Sequence, residues 1–334
     1  QKRHRKLSRD VASIRADGAE RLRAAKRLFA RRVYAVDIHT HSNCSDGCDP
    51  VPRNYEAAMA AGLDFIFATD HASLRQKRFL PGLPRADWGQ EPGCGGHHVG
   101  LLRNRRLFKP RGDFPRDFQA ARRLAEFVWV PHPVGWYPRQ RYGDDRISQL
   151  WSIGDAFAME IINGAGKIFR AYDEWDAKAC LIWDRLLADG RRVTALAGSD
   201  AHISEALGMV WTGVYAGACR APSIIKALQA GSCFASEAPL LELQVNDQPM
   251  GSEVLCAPGA PIKLRFRAAD ACGIAWVRII RDQRIVRSFP GRGRTLTEGG
   301  LTWRAPRRPG YVRVEVGAVD DLRAFSSPAY ILPA

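Results

Sequence analysis

The sequence predicts a mixed α/β fold built on a mostly parallel sheet or barrel, followed by an all-β sandwich. Three observations carry this. From residue 33 to about 236, short apolar runs alternate with helical stretches, the rhythm of repeated βα units. Beyond about 238 the pattern changes to short segments of alternating β-branched and aromatic residues, separated by Gly, Pro and Asp. Third, the apolar runs of the first part end in His, Asp or Glu, which is where a parallel sheet places its ligand site.

In chain order, residues 8–30 bring Val11, Ile14, Leu22, Ala25 and Phe29 near helical spacing, with Gly18 between them. This predicts one or two amphipathic helices broken at the glycine. The strand candidates that follow are VYAVDIH, LDFIFATDH, FVWVPHP, AFAMEIIN, RVTALAGSD and WTGVYAG. Helical stretches lie between them, and Gly62, Gly190 and Gly231 stand where C-terminal caps are expected. The stretch 72–115, with EPGCGGHHVG inside it, breaks the rhythm, and a long irregular segment in a compact domain is usually functional. After 238, LELQVN, IKLRFRAAD, IAWVRIIRD, RIVRSFP, LTWRAP and YVRVEVGAVD are read as sandwich strands. The expected divisions are a basic helical segment at 1–32, a βα domain at 33–237 and an Ig-like sandwich at 238–334.

With 46% hydrophobic and 25% charged residues, the composition is that of a globular protein and excludes disorder as the default. No apolar run approaches the ~20 residues of a membrane helix. Twelve Lys/Arg against Asp10, Asp17 and Glu20 concentrate positive charge in residues 1–32, read first as a solvated helix face and second as an arm for an anionic partner. The chain opens on Gln1, which suggests a trimmed N-terminus and leaves a cytoplasmic or exported location open. The eight cysteines form no CxxC; Cys44 and Cys48 are candidates for ligands, a local disulfide or neither, and Cys180 reads as a core thiol. No nucleophile elbow, P-loop or GxGxxG is present to support serine hydrolase, NTPase or dehydrogenase chemistry.

His39 and His41 share one face of a strand, because side chains alternate with period two, so a single cation can take both imidazoles. Asp200 and His202 repeat that spacing, and of eight histidines only His4 lies outside the motifs. DIHTHS, SDG, ATDH, PHP and GSDAH together resemble the PHP family, named for polymerase and histidinol phosphatase domains, over roughly 33–236. GQE with GHH and ALQAGSCFAS is most similar to its CehA/McbA branch.

The resemblance implies a distorted (β/α)7 barrel holding two or three divalent ions, Zn, Mn or Fe. It implies metal ligation by His39, His41, Asp46, His71, Glu91, His97, His132, Asp200 and His202. By analogy one ion takes His39, His41, Glu91 and Asp200, a second Glu91, His97 and His132, and a third Asp46, His71 and His202. Pro92-Gly93 departs from the family's pattern after the acid, which leaves His97 and His98 as alternatives. Glu160 and Asn163 are expected to orient ligands. The implied activity is hydrolysis of a small anionic phosphate ester by a hydroxide that the ions hold, with Asp70, His71 and His202 as catalytic candidates. Arg75, Arg103 and Arg105 are candidate phosphate clamps or ordinary surface charges. The alternatives are carbamate or carboxylic ester hydrolysis at the same site, a nucleotide phosphatase or 3′–5′ exonuclease, and a binding module with an inactive barrel. A nucleic-acid partner is the less favoured reading, and the oligomeric state is not set by the sequence.

Overall fold

The computed structural model describes residues 17–136, 140–165, 167 and 172–334. It is a mixed α/β structure around one large sheet of 17 strands. Residues 17–27 are helical with Gly18 in the first described turn, and residues 8–16 of the expected helix lie outside the described residues. A glycine in a helix costs about 1 kcal/mol. Burial of Leu22, Ala25 and, just beyond the helix, Phe29 against the main core offsets that cost.

The strand Tyr34–Thr40 pairs in parallel with Phe65–Ala68, which pairs in parallel with Ala86–Gln90. From there the pairing turns antiparallel through Gly100–Leu102 to Phe127–Val130. It then continues in parallel through Ala156–Asn163 to Arg192–Gly198. On its other edge Tyr34–Thr40 meets Trp211–Val214 in antiparallel register. The carboxyl ends of the first strand and of Arg192–Gly198 come together again: the His41 N–H donates to the Ala201 carbonyl and the Asp200 N–H to the His39 carbonyl, each at 2.9 Å. Tyr34–Thr40, Phe65–Ala68 and Phe127–Val130 are buried throughout; the last two are unbroken apolar runs, as strands covered on both faces require, and the first also buries Asp37 and His39.

The helices between the strands are fixed at their ends. Asp113 caps Phe114–Arg122 by accepting from the Arg116 N–H at 3.0 Å. Asp173 and Asp176 form a reciprocal capping box at the start of Glu174–Ala188. Gly62, Gly190 and Gly231 have φ of +85°, +81° and +64°, the left-handed conformation that ends a helix. Among the described residues no helix is long and apolar enough to cross a membrane.

Beyond residue 238 the chain is all strand, but not in the short pieces expected. IKLRFRAAD and IAWVRIIRD form one strand, Pro261–Arg281, which pairs with an equally long Arg284–Arg304. The register shifts between Ala269 and Ile274, where Gly273 adopts φ +103°. The chain bends at that bulge, so one strand serves as two faces while residues 270–273 drop out of the ladder. Arg323–Ser326 pairs with Cys233–Ser236, which joins the C-terminal strands to the first part of the sheet.

Candidate metal centre

The carboxyl ends of the strands converge on one cluster. His39 closes Tyr34–Thr40 and His41 follows it; His71 follows Phe65–Ala68, Glu91 follows Ala86–Gln90, and His132 follows Phe127–Val130. Asp200 and His202 follow Arg192–Gly198. His39, His41, Glu91 and Asp200 form one group of donors close enough to share an ion, all four buried. His41, Asp46, His71 and His202 form a second, and His71, Glu91 and His98 a third. Adjacent groups share His41, His71 and Glu91.

The surrounding hydrogen bonds fix which nitrogen of each ring faces inward. His39 Nδ1 pairs with Glu160 Oε1 at 2.9 Å, leaving Nε2 toward the cluster. Glu160 is held in turn by the Trp129 indole N–H at 2.9 Å, the Asn163 amide at 2.9 Å and the His132 backbone N–H at 3.0 Å. His71 Nδ1 pairs with the Glu91 carbonyl at 2.7 Å and His202 Nδ1 with the Asp200 carbonyl at 2.9 Å. Each thereby turns Nε2 toward Asp46 Oδ2, at 3.4 and 3.3 Å. A ligand imidazole with its second nitrogen anchored this way has a fixed tautomer and orientation.

Whether this set fits divalent cations rests on two features. His39 Nε2 and His41 Nε2 face each other at 3.1 Å, which needs a proton or cation between two like lone pairs. Glu91 Oε2 is buried with no hydrogen-bond partner, yet lies 3.2, 3.4 and 3.3 Å from ring nitrogens of His39, His41 and His71. A buried carboxylate oxygen left so is costly unless a charge meets it. The donors therefore fit, and their mixture of imidazole and carboxylate suits Zn, Mn or Fe. His132 and Asp200 hold φ of +25° and +50°, unfavourable for residues with a Cβ, and such strain concentrates at functional sites.

Charge reinforces the arrangement. Burial disfavours protonation of His39, but Glu91, Glu160 and Asp200 outweigh it and hold the imidazole well above its ordinary value. Burial likewise opposes ionisation of Glu91, and His39, His98 and His132 overcome it and hold the carboxyl well below its usual range. Asp46, hydrogen-bonded to His202 and His71, is also held far below. For His71, burial is outweighed by Asp46 and Glu91, and its pKa rises to about 9.

Not every expected residue reaches the cluster. His97 turns away: its Nε2 pairs with the Arg146 carbonyl at 2.8 Å and its ring stacks on Phe114. Burial lowers its pKa to about 4. The adjacent His98 stands in its place, Nδ1 at 2.9 Å from Glu91 Oε1, opposite His132 Nε2 at 2.7 Å. The two histidines pair within a short hairpin, so alternation sends one inward and its neighbour outward. Asp70 is buried and saturated by the Ser42 N–H, the Ser42 hydroxyl and the Ser45 hydroxyl at 2.8–2.9 Å; it braces the loop after the first strand and lies outside the three groups. Cys44 and Cys48 are free thiols outside all three groups. Arg103 is taken up by Asp87, Glu126 and the Trp88 ring.

Two contributors were not among the residues the sequence singled out, although Asp37 opens the DIHTHS motif. Trp136 stacks on His98 at 5.0 Å and walls the cluster. Asp37, buried two residues before His39, accepts from the His39 and Ser199 N–H groups, and burial lifts its pKa to about 6.

A PHP-associated family model matches residues 185–233. No curated protein matches the chain. Among solved structures it is similar to a two-domain protein from Bacteroides vulgatus containing a predicted PHP-like metal-dependent phosphoesterase. That likeness has 15% identity, covers 90% of this chain and 95% of that one, and has a TM-score of 0.48. It is also similar to a putative metal-dependent phosphoesterase from Bifidobacterium adolescentis, with 15% identity over 50% of this chain and 87% of that one and a TM-score of 0.33. Histidinol phosphate phosphatase from Lactococcus lactis, solved with Zn, L-histidinol and phosphate, matches at 15% identity over 51% of this chain and 87% of that one, with a TM-score of 0.29.

Proposed function

We propose that this chain is a metal-dependent hydrolase of the PHP type that cleaves a small phosphate ester. The observation that carries the reading is the position of Glu91, buried, ionised and shared between two groups of imidazole donors. The fold proposed with it is a distorted (β/α)7 barrel over 33–237 with a sandwich over 238–334. The circuit of pairings that returns from Arg192–Gly198 to the first strand supports that reading.

His39, His41, Glu91 and Asp200 would hold one ion; Glu91, His71, His98 and His132 the next; and Asp46, with His41, His71 and His202, a third. When bound, such ions supply Lewis acidity and acidify water toward a pKa of ~7. The chain's own residues do the rest. Glu160 keeps the His39 lone pair inward and, through the His132 N–H, fixes the strained turn that presents His132. Trp136 shields one side from solvent. Of the catalytic candidates, Asp70 is enclosed by its serines, whereas His71 and His202 have side chains 29% and 37% exposed at the mouth. With only the first two ions bound, His202 would be the better placed to hand a proton to a departing oxygen.

The test is metal content by elemental mass spectrometry, paired with p-nitrophenyl phosphate and p-nitrophenyl ester turnover before and after chelation. Bound metal with chelator-sensitive phosphate release supports the reading. Turnover of the carboxylic ester alone would move the substrate class. No metal after reconstitution with Zn, Mn and Fe would sink it.

A further inference from the structure

The amino ends of the strands, opposite the metal cluster, carry a concentration of positive charge. An open groove of about 560 Å³ lies there, lined by Lys26, Arg31, Arg32 and Arg85 against one acid, Asp64. Tyr34 begins the first strand, and Asp64 and Arg85 directly precede Phe65–Ala68 and Ala86–Gln90. Cys219, on the groove's wall, follows the antiparallel Trp211–Val214. The cluster stands at the carboxyl ends of the first three of these strands, so groove and cluster face opposite ways.

The acids close by offset only part of this charge or are engaged elsewhere. Asp64 accepts from the Ala35 N–H at 2.7 Å and pairs with Lys26, which staples the helix of residues 17–27 to the first strand. Asp87, two residues beyond Arg85, pairs with Arg103, and Glu20 pairs with Arg23 and Arg27 on the exposed side of the helix. Glu242 acts on the Tyr215 phenol against Arg31 but forms no ion pair with it. Among the described residues Arg31, Arg32 and Arg85 are in no ion pair, and all three are exposed. Arg31 is held 4.6 Å over the Tyr215 ring and Arg32 5.7 Å over the Tyr34 ring. A guanidinium positioned over a ring has less freedom to lose when it meets an anion.

Three features select the partner. Tyr34 and Tyr215 are each only 5% exposed, so neither ring is free to stack on a base. A nucleic acid held in the groove would lie on the face away from the cluster. The groove's apolar residues, Phe29 and Val33, are buried, which leaves no anchor of the kind a protein interface uses. What the face offers is a fixed set of cations to a surface bearing many anionic groups. The sequence leading into it adds six Lys/Arg and one acid over residues 1–16.

We propose that this face docks on an anionic lipid surface by charge alone, with the metal cluster turned toward solution. Binding of this kind is reversible and salt-sensitive, because no large apolar side chain of the groove is exposed to insert. It does not depend on which bond the cluster cleaves.

The test is sedimentation of the full chain with vesicles of phosphatidylcholine, alone or with about a quarter phosphatidylserine, at low and high salt. The expected result is binding to the anionic vesicles only, released by salt. Each cation near such a surface contributes about fivefold, so Arg31→Ala/Arg32→Ala/Arg85→Ala should bind roughly a hundredfold more weakly. Arg31→Lys/Arg32→Lys/Arg85→Lys keeps the charge and should bind as the unaltered chain does, which separates lost charge from lost folding. Arg284→Ala/Arg287→Ala/Arg294→Ala removes the same charge from exposed positions of the C-terminal hairpin and should also bind as before. No binding to the anionic vesicles, equal binding to the uncharged ones, or equal losses in the two alanine triples would overturn the docking face. So would tighter binding of a fluorescent DNA duplex at the same salt, lost in the first triple, which would make the partner a nucleic acid.

Discussion

Where the helix Glu174–Ala188 meets the strand Gly310–Ala318, buried Arg313 donates to both oxygens of Asp184 at 3.0 and 2.9 Å and to Glu315 at 2.6 Å, with its guanidinium over the Trp183 ring. At the strand ends, buried Glu91 faces five imidazoles, and its Oε2 has no hydrogen bond. His41 Nδ1 and His132 Nδ1 are likewise without partners, and His132 is strained. Both regions bury charge, but the first closes its hydrogen bonds and the second leaves donors and acceptors over. The difference separates a contact that holds two parts of the fold together from one built to receive something else.

The contrast breaks most sharply at Glu91. Glu91→Gln should lower p-nitrophenyl phosphate hydrolysis by about a thousandfold or more, with loss of bound metal on mass spectrometry and a retained circular dichroism spectrum. Arg313→Ala should do the opposite, costing roughly 3 kcal/mol in chemical denaturation by stranding Asp184 and Glu315, while metal content stays as it was. If Arg313→Ala removed metal with stability intact, the two regions would not differ as argued.

A smaller effect tests the neighbours His97 and His98. His98→Ala should weaken metal retention about ten- to a hundredfold. His97→Phe, which keeps the stack on Phe114, should leave metal content unchanged. Comparable losses in both would place His97 in the cluster after all.

Smallest is the pH response of the chelated protein. The pKa of His71 is raised to about 9, so its contribution to stability is complete below the unfolded value near 6.5 and is lost as pH rises through 9. The thermal midpoint of the metal-free protein should therefore fall from pH 7 to 9, and His71→Gln should flatten that slope. Metal affinity should move the other way, rising with pH as the proton leaves the ligand nitrogen. A rising midpoint in the chelated protein would contradict the first half.

Much of the cluster was legible because its residues recur at strand ends and alternate with period two. His39 with His41, and Asp200 with His202, are brought near one another by local geometry alone. The hairpin was not legible in the same way: His97 and His98 are adjacent and chemically identical, and only the pairing of Cys94 with His97 and Gly93 with His98 decides which ring turns inward. Asp70 shows a related limit. Its motif marked it as part of the site, but its role in bracing Ser42 and Ser45 depends on a loop 25 to 28 residues away. In the C-terminal part, Gly273 and the Gly-rich run at 291–293 read as chain breaks, but pairing resumes on both sides of them and they form a bulge within one long strand pair.

By itself, then, the sequence determined the alternation of strands and helices, the change to all-β structure near residue 238 and the chemical type of the donors, because these follow from periodicity and side-chain chemistry within a few residues. Tertiary structure decided which donors meet, which nitrogen of each ring faces inward, and that Arg31, Arg32 and Arg85 share a groove at the opposite strand ends. Those outcomes depend on contacts between residues tens to hundreds of positions apart, where no local pattern records the distance.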